Sequence, residues 1–127
     1  VGHSGKIGGM DPVPLSLSVA DAVLTADELD PATIVSGDPR TASVVLHEGD
    51  GIERGIWEIT PGVVTDVEAD ELFIVLSGRA TIEFQDGPTL EVGPGDVVVL
   101  PEGAVTRWTV HETLRKVYQI SYTPEAE

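Results

Sequence analysis

The sequence predicts an all-β fold, a sandwich or a barrel, in a single domain within 127 residues. Three observations predict it. Short apolar or alternating runs follow one another from residue 41 to residue 122. Turn signals separate them at close intervals: EGDG at 48–51, PG at 61–62, SG at 77–78, DG at 86–87 and GPG at 93–95. No helical period interrupts the series, which is the pattern of a β-sandwich or barrel.

Residues 1–10, VGHSGKIGGM, read as a tail carried over from an expression vector and are expected to be disordered. They lack the apolar centre of a signal peptide. The domain is assigned to residues 11–127, with the barrel at about 34–122. Residues 19–29 (VADAVLTADEL) suggest a short helical turn capped by Thr25. Pro31, Gly37 and Pro39 keep anything there short. Residues 32–35 suggest an edge strand. Strands are then expected at 41–47, at 52–60 before Pro61-Gly62, at 71–76 before Ser77-Gly78, and at 79–84, where RATIEF alternates polar and apolar. Asp86-Gly87 marks a hairpin. Further strands follow at 89–92, 96–100, 104–111 and 114–122, while residues 62–70 (GVVTDVEAD) read as a loop.

The runs FIVL and VVVL are apolar on both faces. One face of each meets the interior. The other needs cover from a second sheet, the N-terminal segment or another subunit, so a homodimer is expected.

Composition narrows the partners. Against 22 acidic residues stand 7 basic ones, a net charge of −15. Nucleic acids and anionic lipid surfaces require the opposite sign, so neither is an expected partner. The chain has no cysteine, which rules out disulfides, thiolate nucleophiles and zinc–thiolate sites. No apolar run approaches the length of a membrane helix. The cytoplasm is the expected compartment.

A resemblance rests on a set of short motifs. Gly95, Pro101, Glu102 and Gly103 match the second motif of the cupin superfamily, and Glu71 with Gly78 matches the tail of its first. Gly55-Ile56-Trp57, Asp70-Glu71, Leu76-Ser77-Gly78-Arg79, Trp108 and Arg115-Lys116-Val117-Tyr118 narrow it. The chain resembles the cupin 3 subgroup, which includes domains similar to ureidoglycine aminohydrolase and to an ethanolamine-utilisation cupin. The resemblance implies a jelly-roll barrel, or double-stranded β-helix, usually dimeric.

It also implies where a metal would sit. Metal-binding cupins supply two histidines and a glutamate from the first motif and a histidine from the second. Here Glu71 fills the glutamate position, Thr106 stands in the last histidine's place, and residues 62–70 hold no histidine. His47 and His111 lie outside both motifs, and His3 lies in the tail. No transition metal and no other cofactor are expected. Asp66, Glu68 and Asp70 share the loop before Glu71 and read as an acidic surface loop rather than a calcium site.

Strand alternation nominates the cavity wall. If Thr106 points inward, so do Ala104, Trp108 and Val110. Glu71 then shares an inner face with Phe73 and Val75. Lys116, Tyr118 and Ile120 share one face of the last strand, inward or outward. The candidate site residues are Trp57, Glu71, Thr106, Trp108, Lys116 and Tyr118. Trp57 reads as a core filler first and as cavity wall second. A carboxylate in an apolar barrel without a metal needs a cation or hydrogen bonds, and Lys116 or Arg79 can supply the cation. Glu71 is either a general acid/base with a raised pKa or a structural acid at the barrel mouth. The function expected is binding of a small polar metabolite. The alternatives are a metabolic enzyme, ureidoglycine aminohydrolase-like or acting on other amides, ureides or sugar acids, with Glu71 as acid/base, and a scaffold that acts by association alone.

Overall fold

Nine strands and one turn of 3-10 helix make up residues 13–122, the part of the chain that the computed structural model describes. The tail expected at residues 1–10 lies outside the described residues. The strands are β1 (Thr25–Asp27), β2 (Ile34–Gly37), β3 (Thr41–Gly49), β4 (Ile52–Ile59), β5 (Gly62–Val67), β6 (Asp70–Phe84), β7 (Thr89–Val92), β8 (Val97–Leu100) and β9 (Val105–Ser121). All pairings are antiparallel.

The long strands β6 and β9 pair along nearly their whole length and form the spine of the fold. The spine bends where its register shifts, between Val75 and Ala80. On one side of the bend it carries β4, β3 and β1 outward from β9, with β8 on β6. On the other side β9 carries β5 and β2, and β6 carries β7. The sheet therefore curls into a jelly roll, with the inner faces of its two halves turned towards one core. Gly78 makes the bend possible. Its φ is +88°, and a Cβ there would collide with the carbonyl oxygen of Thr113.

The core follows the alternation. Phe73, Val75, Ala80 and Ile82 of β6 are buried, as are Trp108, Val110, Leu114, Tyr118 and Ile120 of β9. Thr106 and Lys116 lie on the same inner face, which settles the orientation of the last strand.

The structure corrects three readings of the elements. The helical turn placed at residues 19–29 is absent: Thr25–Asp27 instead pairs with Thr41–Ser43. The helical turn lies later, at Pro31–Thr33, where the Asp30 carboxyl accepts from Ala32 N at 2.9 Å and Pro31 occupies a first-turn position. Residues 62–70 are not a loop throughout. Six of them form β5, whose Gly62–Val67 partners run from Val110 to Val105. The strands expected on either side of residue 78, and those expected at 104–111 and 114–122, are continuous as β6 and β9.

Two stretches of outer face differ in cover. The N-terminal segment crosses the outside of β9, where the Arg115 guanidinium donates to the carbonyls of Val19, Ala20 and Ala22. Ile56, on the same outer face of β4, is fully buried. On β6 and β8, by contrast, Leu72, Ile74, Leu76, Val97 and Val99 are exposed. Among the described residues no helix is long and apolar enough to cross a membrane.

Candidate functional site

A cavity of about 250 Å³ opens between the two halves of the sheet. Trp57 of β4 and Trp108 of β9 form its aromatic wall, their rings edge to face with centroids 6.1 Å apart. Trp57 faces inward because it is paired with Lys116, and Trp108 because it is paired with Val64. Ile59 and Val64 add apolar surface, and the segment of Asp27 to Asp30 forms part of the rim. Five acids line this space, Asp27, Glu28, Asp30, Asp66 and Glu68, against one cation, Lys116.

Glu68 is the acid placed at its inner wall. It is only 5 % exposed. Thr106 Oγ1 donates to its Oε2 at 2.7 Å, and Trp108 Nε1 donates to the same oxygen at 3.0 Å. Both bonds fall on Oε2, which leaves Oε1 as the oxygen able to meet a ligand. The backbone fixes the position as firmly as the side chains do: Glu68 N donates to Ala104 O, and Gly103 N donates to Glu68 O, each at 2.8 Å. Burial raises the Glu68 pKa above its ordinary value, and the neighbouring Asp66 charge adds to the rise. The two hydrogen bonds and the Lys116 ammonium pull in the opposite direction.

Glu71 and Lys116 form a second, closed arrangement beside it. Lys116 Nζ lies 2.7 Å from Glu71 Oε2, with both residues at most 2 % exposed. The contact is an ion pair rather than a well-directed hydrogen bond, and Glu71 Oε2 accepts no other bond from the described residues. The same ammonium sits over the rings of Phe73, Trp57 and Trp108, at 4.2, 4.5 and 5.2 Å from their centroids. Arg79, the other cation considered for Glu71, instead pairs with Glu112 on the surface.

The candidate residues are thus distributed over three settings. Trp57, Trp108 and Lys116 line the cavity. Thr106 stands behind it as a donor to Glu68. Glu71 does not line it and is not at a solvated mouth; it is buried against Lys116. Tyr118 also lies apart, donating from its hydroxyl to Glu53 Oε2 at 2.6 Å. Glu68, read from sequence as part of an acidic surface loop, is the residue that reading missed. Its signal was the period of two: Val64, Asp66 and Glu68 continue one inward face once residues 62–67 are recognised as a strand.

A cupin metal does not fit this donor set. Glu71 is committed to an ammonium, and the Thr106 hydroxyl is committed to Glu68. His111 meets Thr81 and His47 meets Arg54, both outside the cavity. Among the described residues no three acidic or imidazole side chains converge as ligands.

The family model described as an EutQ-like cupin domain matches residues 46–118. The chain belongs to the EutQ-like cupin family. No curated protein matches it. Among solved structures, this cupin domain is similar to a Pseudomonas syringae protein of unknown function from the DUF861 family. The two share 28 % identity and superpose with a TM-score of 0.73, covering 83 % of this chain and 46 % of the other. The domain therefore spans about half the length of that relative. It also superposes on the EutQ protein of Clostridium difficile, with 16 % identity, a TM-score of 0.60 and coverage of 76 % and 81 %. A putative ethanolamine utilization protein of Salmonella typhimurium gives 16 % identity, a TM-score of 0.59 and coverage of 80 % and 96 %. The last two likenesses are of fold.

Proposed function

We propose that this cupin domain binds a small polar ligand without a metal, and that the ligand presents a cationic or hydrogen-bond-donating group to Glu68. The observation that carries this reading is the asymmetric satisfaction of a buried carboxyl: Oε2 takes two donors while Oε1 takes none from the described residues. A buried acid gains most from a partner that brings donors of its own. The rim acids raise the local concentration of cations and disfavour anions. Trp57 and Trp108 give a flat group an apolar surface to lie against. The Lys116 charge does not reverse this preference, because Glu71 balances it.

A thermal-shift panel of small amines, amino acids, ureides and sugar acids tests the proposal. Ligand at saturation raises the unfolding midpoint by mass action. Donor-rich compounds are expected to raise it saturably in the wild type, and Glu68→Gln is expected to weaken that response at least tenfold in concentration. A panel that leaves the wild type unmoved, or a ligand that shifts Glu68→Gln equally, overturns the assignment. For the exposed ladder of Leu72, Ile74, Leu76, Val97 and Val99, which carries no charge, we propose a second copy of the chain as cover. Light scattering is expected to return twice the chain mass; a monomer at all concentrations sinks that assignment.

A further inference from the structure

The misfit between this cavity and a metal has a constructive side. Glu71 is the one position where the implied ligand set is kept, and a cation does meet its carboxylate. That cation is covalent. Lys116 stands opposite Val75 and Trp57 in the sheet, four positions along β6 from Glu71. At the carboxylate the ammonium comes to rest over the rings of Phe73, Trp57 and Trp108.

We propose that Glu71 and the rings of Trp57, Phe73 and Trp108 form a cation site for a primary alkylammonium group, and that the ammonium of Lys116 is its built-in occupant. The walls decide the class of cation. Three aromatic faces and a single carboxylate suit a monovalent organic cation, which gains from ring quadrupoles and keeps a nonpolar stem against apolar walls. They do not suit a divalent ion, which needs several lone pairs converging at short range. Lys116 also lines the open cavity, so removal of its side chain joins the site to that cavity and gives an external amine a way in. Glu68 stands beside this site rather than in it: its hydrogen bonds come from Thr106 and from Nε1 of Trp108, the ring that the two share.

The test is chemical rescue of Lys116→Ala. This variant leaves Glu71 buried without a partner and is expected to unfold at a lower temperature than the wild type. n-Propylammonium is expected to restore part of the loss saturably, while the wild type shows no comparable gain. Rescue is expected to persist in Lys116→Ala/Glu68→Gln and to vanish in Lys116→Ala/Glu71→Gln. Amine that fails to rescue, or rescue that depends on Glu68 and not on Glu71, overturns the proposal. So does stronger rescue by Mn²⁺ or Zn²⁺ than by the amine. Should Lys116→Ala fail to fold even with amine present, the comparison passes to Lys116→Met, Glu71→Gln and their double variant. The double variant is then expected to be more stable than Lys116→Met alone, since it removes the stranded charge; equal or lower stability overturns the proposal.

Discussion

At the start of β4, Glu53 is fully buried and receives the Tyr118 hydroxyl at 2.6 Å and the Tyr122 hydroxyl at 3.3 Å. Just beyond the end of β5, Glu68 is nearly as buried and receives a threonine hydroxyl and an indole. Each acid has two neutral side-chain donors, yet the two regions serve opposite ends. Around Glu53 the donors fall on both oxygens, and neither Glu53 nor Tyr122 lines the cavity. Around Glu68 both fall on one oxygen, and the residue borders a space with room for a small molecule. Burial of an acid therefore does not identify a binding site. The distribution of its donors and the presence of adjoining space do.

The Glu53 region is also locked by backbone shape. A Cβ on Gly55 would stand 2.6 Å from the Tyr118 hydroxyl oxygen and 2.5 Å from Val44 O, so only glycine lets the ring cross β4 to reach the carboxyl. Burial and the bond to Glu53 push the Tyr118 pKa above the ordinary tyrosine range and keep its hydroxyl a donor. For Tyr122, burial first and the Glu53 charge second push it up to about 12.

The largest effect expected from this contrast is at Glu53. Glu53→Ala removes the shared acceptor of two hydroxyls and leaves a void in a packed wall, which should cost about 3 kcal/mol of stability. Glu53→Gln keeps an acceptor and the volume, and should recover more than half of that. Denaturant unfolding of the two variants reads the difference. A Glu53→Ala protein within about 0.5 kcal/mol of the wild type would show that the closed region contributes no more than an ordinary surface contact. Neither variant should alter the ligand response attributed to Glu68, because Glu53 does not line the cavity.

Glycine and proline positions made the barrel legible. Gly78, Gly95 and Gly103 all have φ near +87°, where a side chain is strained; Gly95 stands at a turn that the sequence marked, while the turn marked at Gly78 is a bend inside β6. Alternation placed Thr106 and Trp108 on one inner face and Glu71 with Phe73 on another, and the structure has them so. Glu68 was not legible, because its run GVVTDVEAD carries three acids and looks solvated. Its strand character comes from pairing with β9, a contact distant in sequence. The link between Lys116 and Glu71 was open for a related reason. The face of the last strand was undecided, and Arg79 competed for the same acid until the bend at Gly78 carried it outward to Glu112. Tyr118 was drawn towards the cavity by its shared face with Lys116. One step of two residues along β9 was enough to hand its hydroxyl to Glu53 instead.

A smaller effect, and the sharper test of the comparison, is the pH dependence of Glu68. It is smaller because the cost of burial is set against two hydrogen bonds and a nearby ammonium. A carboxyl whose pKa is raised by folding holds its proton more tightly in the folded state than in the unfolded one. Its protonated form therefore favours folding, and that contribution is lost as pH rises from the unfolded pKa through the folded one. Glu68→Gln cannot lose it. The unfolding midpoint of Glu68→Gln minus that of the wild type is thus expected to grow as pH rises from about 4, and to level off above the folded pKa. Repulsion among acids away from Glu68 changes over the same range in both proteins alike and cancels from the difference, whereas repulsion between Asp66 and an ionised Glu68 exists only in the wild type and adds to it. Adding the cationic ligand found in the thermal-shift panel should shrink the difference, because a bound cation favours the ionised carboxyl that only the wild type has. A difference that stays flat with pH would place Glu68 in water-like surroundings, and the distinction between the open and the closed acid would fall with it.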